Sequence, residues 1–460
     1  MHIQKKNKKL FACFVDYQKA YDNIWREGLY FKLIKEKING DLINIIHSMY
    51  KETTQQIKVG NKLTKPFNAY RGVRQGCVLS PLLFNIYVND LPRMFDKSCS
   101  PVMLEELQIN CLMYADDILL LSETEEGLKQ CIDKLCLYNK KWRLNINESK
   151  TKIITFQNGG RTKQLNIKYD KKCMLEEVKK IRYLGNIISN TGNFKQNDIY
   201  LKNKGLRTYY ALIKNINFNL KPSLFLKLFE KIVEPVLLYN SEVTNAYIPK
   251  KWDCELFKEN IWKNKFKIND VSHSFLKQIL GVTKYTSNIA TLAECGKFPL
   301  QLKIYVQIIK YWMRLFSNES IYMQKIHLAE IKKCEDNKPS WLKIVEYLIE
   351  YTNTKKYFGL NDIISKPKKL IEIFESKLKT LYKEWWKENI KNDSKMEFYN
   401  AYKKEFYFES YIDNLSWKRR KVVAKLRLSN HIFPIEKQRY SNIRRNERYC
   451  SICNNNEIYR

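Results

Sequence analysis

The stretch of sequence that decides the fold is Tyr114-Ala115-Asp116-Asp117, which lies between two apolar runs, residues 110–113 (NCLM) and 118–121 (ILLL). Two apolar strands joined at a polar tip predict a β-hairpin that carries adjacent carboxylates. Far upstream, another apolar run, residues 10–15 (LFACFV), ends in Asp16. Three carboxylates on the ends of buried strands can hold two divalent ions, the arrangement that phosphoryl transfer uses. On its own the tetrapeptide also fits a solvated turn, so its neighbours must decide.

The charge of the chain is its most unusual bulk property. Among 460 residues there are 82 Lys plus Arg against 48 Asp plus Glu, a net charge of +34. Such an excess favours a polyanionic partner, with nucleic acid first and an anionic membrane second. Lysine-rich codon usage is an alternative contributor, but it does not explain why acidic residues are scarce. Hydrophobic residues at 44% suffice for real cores, and the length suits two or three domains.

The cysteines and apolar runs bear on location and on metals. Twelve cysteines are scattered, and only Cys450 and Cys453 form a CxxC, which indicates reduced thiols and an intracellular protein, nuclear or cytoplasmic. The apolar run before Asp16 is too short for a signal peptide, and no run approaches the ~20 apolar residues of a membrane span, so no membrane partner is predicted. Two thiolates cannot close a tetrahedral site, so no zinc is predicted.

The pattern along the first 190 residues predicts an α+β fold, an antiparallel sheet backed by helices. Residues 25–33 and 42–50 read as helices, the second capped by Asp41, and residues 56–59 and 67–70 read as a hairpin around Gly60-Asn61. Ser80 is the expected N-cap of a helix with proline at its first position. Residues 128–142 show one apolar helical face, and residues 153–190 return to strands. From about residue 196 the chain reads mostly as helix.

The assembled motifs resemble the reverse transcriptase of non-LTR (LINE-type) retrotransposons. Residues 14–22 (FVDYQKAYD) look like the first palm motif of that family, and residues 71–91 (RGVRQGCVLSPLLFNIYVNDL) look like the second. Residues 114–117 are similar to the third motif, and residues 144–152 (LNINESKTK) to the fourth. Tyr183-Leu184-Gly185 resembles the primer-grip turn. Further segments, residues 234–239, 275–282 and 436–453, also resemble that family, so the resemblance extends over nearly the whole chain.

The resemblance implies a right-hand polymerase palm, a helical thumb and a C-terminal region. We expect a palm with incomplete fingers over residues 1–192, a thumb over 193–300, and a basic helical region over 301–460 that ends in a partial CxxC knuckle. The implied activity is RNA-directed DNA synthesis, with an RNA template, a DNA primer or target, and dNTPs as partners. The sequence sets no oligomeric state.

The resemblance also assigns a metal site. Asp16 and Asp116 would bridge two Mg²⁺ ions, with Mn²⁺ as an alternative, and Asp117 would either bind metal or only shape the site. Lys150 resembles a lysine that protonates the leaving pyrophosphate, although a surface lysine would look the same. Asp22, six residues after Asp16, is expected to cap the following helix rather than to bind metal.

Other positions would contact the nucleotide and the primer. Tyr21 matches the bulky residue under the sugar, which excludes a 2′-hydroxyl, and a simply packed tyrosine is the alternative. Gln75 and Gly76 would lie over the nucleotide. The turn at Tyr183, Leu184 and Gly185 would hold the primer end, although a plain hairpin turn has the same sequence character.

Beyond residue 196, basic and aromatic residues interleave, as a nucleic-acid surface requires. Examples are Lys202, Lys204, Arg207, Tyr209 and Tyr210. A solvated helix face is the alternative.

Both ends of the chain look cut within recognisable motifs. Only fifteen residues precede Asp16, where family members carry a long fingers region that clamps the triphosphate, and no endonuclease domain is visible. We therefore expect poor primer extension or none, because Lys5, Lys6, Lys8 and Lys9 on a short leader would replace a fixed clamp poorly. Two other interpretations stay open, a non-catalytic nucleic-acid-binding remnant and a polymerase like group II intron maturases.

Overall fold

The computed structural model describes residues 9–157, 159, 165–215, 220–244, 254–263, 266–316, 320–336 and 340–431, together with residues 438, 443, 444 and 447. These residues divide into two compact units, Met1–Asn193 and Phe194–Arg460. The first unit contains all the strands of the described chain and the second is helical, as the α+β prediction requires. The boundary lies one residue from the predicted end of the palm.

The described part of the first unit contains fifteen strands and four α-helices. The strands are β1 (Leu10–Asp16), β2 (Thr54–Gln55), β3 (Lys58–Val59), β4 (Lys62–Leu63), β5 (Phe67–Asn68), β6 (Val102–Leu104), β7 (Leu107–Ile109), β8 (Cys111–Tyr114), β9 (Asp117–Ser122), β10 (Lys152–Phe156), β11 (Lys168–Tyr169), β12 (Cys173–Met174), β13 (Glu176–Glu177), β14 (Lys180–Tyr183) and β15 (Asn186–Ser189). Its helices are α1 (Arg26–Lys35), α2 (Gly40–Lys51), α3 (Ser80–Val88) and α4 (Glu125–Trp142).

A five-stranded sheet of order β13-β10-β1-β9-β8 forms the centre of this unit. Its ladders are antiparallel except for the short parallel pair of β10 and β13. Strand β1 lies in the middle and is buried on both faces, which explains its unbroken apolar run. Phe11, Cys13 and Val15 face a core built with the helices, whereas Ala12 and Phe14 face the β14–β15 hairpin.

Helix α4 confirms the predicted apolar face. Its buried residues include Leu128, Cys131, Ile132, Leu135 and Trp142, and Thr124 caps it by accepting a hydrogen bond from the Gly127 amide (2.9 Å). This face covers the sheet, because residues three and four apart lie on one side of a helix.

Two predicted helix caps were wrong. The cap of α2 is Asn39, whose side chain accepts from the Asp41 amide at 2.7 Å, so Asp41 lies inside the first turn. Ser80 lies within α3, and its hydroxyl donates to the Arg74 carbonyl (2.6 Å) instead of capping the helix. The observed N-cap lies two positions before the expected residue in α2 and one position before it in α3.

The predicted hairpin around Gly60-Asn61 has a different register. The two-residue turn pairs Lys58 with Leu63 and Val59 with Lys62, while a second ladder joins Thr54–Gln55 to Phe67–Asn68. Residues 56–59 therefore do not pair with residues 67–70. Because a tight turn brings its immediate neighbours together, the partner strand begins directly after the turn.

The second unit consists of helices. These are α5 (Lys195–Asn215), α6 (Pro222–Leu228), α7 (Glu234–Leu237), α8 (Ser241–Thr244), α9 (Cys254–Asn260), α10 (Asn269–Leu280), α11 (Asn288–Glu294), α12 (Leu300–Phe316), α13 (Ile321–Glu335), α14 (Leu342–Tyr351), α15 (Leu360–Ser365), α16 (Pro367–Asn392), α17 (Glu397–Tyr402), α18 (Tyr411–Asn414) and α19 (Trp417–Arg427). One hydrophobic core runs from Leu201 to Leu428, across the predicted boundary at residue 300. The division into thumb and C-terminal region stays a prediction.

A buried charge cluster lies within this helical core. Glu294 is fully buried, and its carboxylate pairs with Arg427 and accepts a hydrogen bond from the Tyr411 hydroxyl (2.8 Å). The Arg427 guanidinium also lies 3.0 Å from Glu409, and Glu409 pairs with the buried Lys403. Because every charge in the cluster has a partner of opposite sign, the cluster joins residues distant in sequence without leaving an isolated buried charge.

Candidate active site

Asp16 and Asp117 lie opposite each other on the neighbouring strands β1 and β9 of the central sheet. The ladder between β1 and β9 pairs their Cα atoms directly, which in an antiparallel sheet means a separation of about 4.5–5.5 Å. Side chains of directly opposed residues project from the same face of the sheet. The two acids, far apart in the sequence, therefore lie side by side at the end of β1, as the sequence predicted.

Asp116 lies in the two-residue turn between β8 and β9. Tyr114 pairs with Asp117 in the ladder, so only Ala115 and Asp116 form the connection. Ala115 has a φ of +52°, a left-handed conformation that is uncommon for a residue with a Cβ atom. Such backbone strain concentrates at functional sites. The tight turn places Asp116 at the same end of the hairpin as Asp117.

The three carboxylates repel one another. Partial burial, with smaller contributions from Asp116 and then Asp16, raises the pKa of Asp117. A divalent cation would offset this repulsion, and carboxylate oxygens are the ligands that Mg²⁺ prefers. The donor chemistry therefore fits the predicted metal. However, among the described residues, which include all three aspartates, no group of three acidic, histidine or cysteine side chains is arranged to hold a metal ion.

The segment that carries Lys150 runs along the end of β1. The Asn147 amide donates to the Asp16 carbonyl (2.7 Å), the Gln18 amide donates to the Asn145 carbonyl (2.8 Å), and the Asp16 amide donates to the Thr151 hydroxyl (3.3 Å). These bonds bring the Lys150 ammonium to 3.7 Å from an Asp16 carboxylate oxygen. The Lys150 side chain is exposed, so it can reach a ligand bound next to Asp16.

Tyr21 lies close to the acids. Burial and then the Asp116 charge raise the pKa of its hydroxyl, and its ring packs against Phe84 with the centroids 5.1 Å apart. Its carbonyl accepts a hydrogen bond from the Val73 amide (2.8 Å), which ties the segment after β1 to the loop of residues 71–76. The ring is only partly buried, so it both packs and borders the site.

Gln75 and Gly76 lie on the exposed side of this loop. The Gln75 side-chain amide donates to the Asp22 carboxylate at 2.9 Å. Gly76 has a φ of +83°, and a Cβ atom added there would meet nothing within 4 Å, so its backbone borders open space. The expected capping role of Asp22 was wrong, because α1 begins at Arg26 behind Trp25 and Asp22 instead orients Gln75.

Arg26 holds the loop in place, a role that the sequence did not reveal. Its buried guanidinium donates to the carbonyls of Tyr50 (2.7 Å), Gly72 (3.0 Å) and Arg71 (3.3 Å). Gly72 has a φ of +82°, and a Cβ atom there would lie 2.6 Å from the Asp22 carbonyl oxygen. Only glycine allows this approach. The pairing of a buried arginine with loop carbonyls leaves no pattern in the sequence.

The Tyr183-Leu184-Gly185 turn packs against the same end of the sheet. Strands β14 and β15 pair in a hairpin with Leu184 and Gly185 at its turn, and both have positive φ, 44° and 78°. The Tyr183 ring meets Phe14 of β1 edge to face at 5.0 Å. A cavity of about 430 Å³ lies between the hairpin and the acids and is lined by Asp16, Asp117, Lys150 and Tyr183, among others.

The basic and aromatic residues predicted for the second unit do not share one role. Tyr209 is buried against Phe229 and Phe275, so its ring is not available to stack on a base, and that assignment was wrong. Lys202 pairs with Asp270 at 2.8 Å. Lys204, Arg207 and Tyr210 are exposed.

The predicted CxxC knuckle and most of the predicted basic leader lie outside the described residues. Cys450, Cys453, Lys5, Lys6 and Lys8 lie beyond them. The ten cysteines that the structure does describe are free thiols. A search of the described helices reveals none with the length and apolar character of a membrane crossing.

Comparison with known proteins assigns the first unit to a family. Residues 1–188 match the family model of reverse transcriptase (RNA-dependent DNA polymerase), and they form a reverse transcriptase domain. Among similar proteins, a probable RNA-directed DNA polymerase from transposon BS of Drosophila melanogaster is 31% identical over 148 residues, 30% of this chain and 16% of that protein. The polymerase from mobile element jockey of Drosophila funebris is 27% identical over 256 residues, 52% of this chain and 27% of that protein.

A third relative is the Pol polyprotein from retrotransposable element R2 of Nasonia vitripennis, 28% identical over 166 residues, 36% of this chain and 16% of that protein. These relatives place the domain with LINE-type reverse transcriptases. The chain spans between 16% and 27% of their length. A solved telomerase from Candida tropicalis aligns with 80% of this chain and 54% of its own at 14% identity, with a TM-score of 0.32, too distant a likeness to assign residues.

Proposed function

We propose that this protein is an RNA-directed DNA polymerase of a LINE-type retrotransposon, which extends a DNA primer on an RNA template. The observation that supports this most strongly is the direct pairing of Asp16 with Asp117, with Asp116 in the adjoining turn. A reverse transcriptase motif would place its acids together in this way, whereas unrelated solvated acids have no reason to meet at one sheet end.

Asp16 and Asp116, with Asp117 beside them, are the residues that would hold two Mg²⁺ ions. Magnesium bound there would neutralise charge on the phosphates and activate the primer hydroxyl. Lys150, close to Asp16, would donate a proton to the departing pyrophosphate.

Residues around the acids would select and orient the nucleotide. Tyr21 would lie under the sugar and exclude a 2′-hydroxyl by its volume, so that dNTPs are the substrates. Gln75, oriented by Asp22, and the open backbone of Gly76 would contact the base and sugar. The hairpin turn at Tyr183, Leu184 and Gly185 would hold the primer end against the cavity. An intracellular location agrees with this function.

Primer extension on poly(rA)–oligo(dT) with magnesium tests the proposal, with the Asp116→Ala chain as the blank. Any dTTP incorporation is expected to be weak, so the deciding quantity is the difference between the chains rather than the size of the signal. Asp133→Asn, on the exposed side of α4, is the matched control and should behave as the unmodified chain. Equal incorporation by the unmodified and Asp116→Ala chains would contradict the proposal.

A further inference from the structure

The second unit exposes two aromatic rings that each lie beside a cation. Tyr285, in the segment of residues 281–287 between α10 and α11, is 82% exposed, and Trp417, the first residue of α19, is 47% exposed. The Lys284 ammonium lies 5.0 Å from the centroid of the Tyr285 ring, and the Arg420 guanidinium lies 5.2 Å from that of the Trp417 ring. Both rings therefore keep surface that a ligand can touch, next to a positive charge.

The segment that carries the exposed tyrosine lies against α19. The Thr283 amide donates to the Asn430 side-chain oxygen at 3.0 Å, and the Asn430 side-chain amide donates to the Thr283 hydroxyl at 2.8 Å. A Cβ atom added to Gly281 would lie 2.9 Å from the Lys421 side chain and 3.0 Å from the Trp417 ring. The segment and the helix therefore adjoin, and the two exposed rings belong to neighbouring parts of one surface.

The residues on both sides of Tyr285 are fixed. The ammonium of the buried Lys277 donates to the Lys284 carbonyl at 2.8 Å. Thr286 is buried, and the Ser287 hydroxyl caps α11. An exposed ring on a fixed segment loses little conformational freedom when it binds a ligand, so less of the contact energy is offset by ordering.

Lysines extend along one side of α19. Lys418, Lys421 and Lys425 follow the spacing of residues that share a helix face. Because Lys421 lies against Gly281, that face adjoins the segment of residues 281–287. Neither the segment nor α19 contains an acidic residue. The surface therefore combines accessible rings with positive charge that no acid of its own two parts balances.

We propose that this surface, formed by residues 281–287 and α19, binds a single-stranded segment of nucleic acid. In a single strand the faces of the bases are free to stack on aromatic rings, while lysines neutralise the phosphates. In a duplex those faces are covered by neighbouring base pairs, so a duplex can use only the lysines. The site lies wholly within the second unit and takes no part in the chemistry at the aspartates. The inference rests on the proposed function only for the presence of nucleic acid.

The rings are tested by fluorescence anisotropy of the full chain with labelled deca-adenylate. We expect Tyr285→Ala and Trp417→Ala each to weaken binding about tenfold, the typical effect of losing one stacking ring. Tyr285→Phe keeps the ring and should bind as the unmodified chain does. Tyr322→Ala, which removes an exposed ring of α13, is the matched control and should also leave binding unchanged. Equal affinities of the unmodified and Tyr285→Ala chains would overturn the proposal.

The melting temperature separates this loss from misfolding. The Tyr285 side chain makes few contacts within the fold at its 82% exposure, so Tyr285→Ala should melt with the unmodified chain. Weaker binding with a lower melting temperature in Tyr285→Ala, and full binding in every variant that melts normally, would assign the ring a structural role and refute the proposal.

Stacking is separated from charge by an RNA–DNA hybrid of the same length. We expect the ring variants to leave the affinity for the hybrid unchanged, and Lys425→Gln to weaken the binding of both ligands because it removes a phosphate contact. An equal loss of hybrid and single-strand affinity in Tyr285→Ala would overturn the stacking role. Deca-deoxyadenylate identifies the strand. The same tenfold loss supports a site that takes RNA and DNA alike, and a loss confined to deca-adenylate supports an RNA site.

An anionic membrane is the other polyanion that a basic helix can meet. Rings held at the surface of a fixed segment favour the flat faces of bases, because membrane binding needs apolar side chains that insert. Binding to phosphatidylserine vesicles that is lost in Tyr285→Ala, with unchanged binding of deca-adenylate, would overturn the assignment to nucleic acid. The Asp116→Ala chain should show the same tenfold loss when Tyr285→Ala is added, so a failure of primer extension and a failure of this inference remain separate results.

Discussion

At the scale of single residues, Leu184 is held in a conformation that its side chain disfavours. It has a φ of +44° at the turn between β14 and β15, and left-handed backbone costs roughly 1–2 kcal/mol for a residue with a Cβ atom. The side chain is 38% exposed, so part of it faces solvent at the turn. A leucine kept here against its backbone preference is consistent with contact to a primer.

We therefore predict that Leu184→Asn stabilises the protein and weakens primer binding. Asparagine tolerates the left-handed region, and Asn-Gly is the preferred pair for this type of turn. The expected gain is about 0.5–1 kcal/mol in the free energy of unfolding, measured by urea denaturation, with a several-fold rise in the dissociation constant for a primer–template duplex. Leu137→Asn, at an exposed helical leucine, is the control. Unchanged duplex affinity would remove Leu184 from the primer contact.

Asp117 gives a second prediction, which concerns charge. Its raised pKa means that the folded protein holds this proton more tightly than the unfolded chain. Stability therefore falls as the pH rises from the unfolded pKa through the folded one, and the loss is complete at neutral pH. Asp117→Asn should then stabilise the metal-free protein at pH 7 by roughly 0.2–1 kcal/mol, the size of a like-charge pair across two strands.

The same variant should lose its response to magnesium. For the unmodified chain, magnesium at tenfold its dissociation constant adds about 1.4 kcal/mol of stability, visible as a rise in melting temperature. We expect no such rise with Asp117→Asn, and an undiminished rise with Asp133→Asn. A magnesium response that survives the loss of Asp117 would show that Asp117 is not a required metal ligand.

At the scale of elements, the sequence predicted what local patterns specify. The apolar runs of residues 10–15 and 110–121 specified strand β1 and the hairpin, and their ends located Asp16 and Asp117 at one end of the sheet. Asp22 was misassigned because its partner, Gln75, is distant in the sequence, and a tertiary hydrogen bond replaced the expected cap. Arg26 was missed for the same reason. A site built from one β-hairpin and one strand is visible in sequence patterns, whereas the groups that orient it are not.

Arg26 yields a prediction at this scale, because it connects α1 to the loop of residues 71–76. We expect Arg26→Lys to destabilise the protein by about 2–3 kcal/mol, since one ammonium cannot reach three carbonyls in the planar geometry of a guanidinium. Hydrogen exchange should accelerate at the amides of that loop, and the KM for dNTP should rise as Gln75 loses its fixed position. Glu27→Gln, at an exposed neighbour, is the control. Unchanged exchange in the loop would contradict this role.

At the scale of the whole molecule, part of the net charge of +34 lies in surface segments that contain basic but no acidic side chains. Helix α19 is the clearest example, since its eleven residues contain no acidic side chain. Lys418, Arg419 and Lys421 are exposed on it. By contrast, Lys129, Lys134 and Lys140 each pair with a carboxylate. The chain therefore offers two sets of lysine and arginine residues that differ in whether their charge is already balanced.

We predict that binding to an RNA–DNA hybrid depends steeply on salt and that α19 contributes to this dependence. Contact with six or more phosphates would lower the affinity about a thousandfold between 50 and 200 mM salt. Replacing Lys418, Arg419 and Lys421 together with glutamine should reduce the slope of log affinity against log salt by about 2–3, because each lost phosphate contact removes ~0.7–0.9. The triple replacement of Lys129, Lys134 and Lys140 with glutamine changes the net charge equally but should leave the slope nearly unchanged, since those charges are already paired with carboxylates. Equal slopes for the two triple variants would mean that only the net charge matters and that α19 is a solvated helix. A flat salt response of the unmodified chain would argue against nucleic-acid binding altogether.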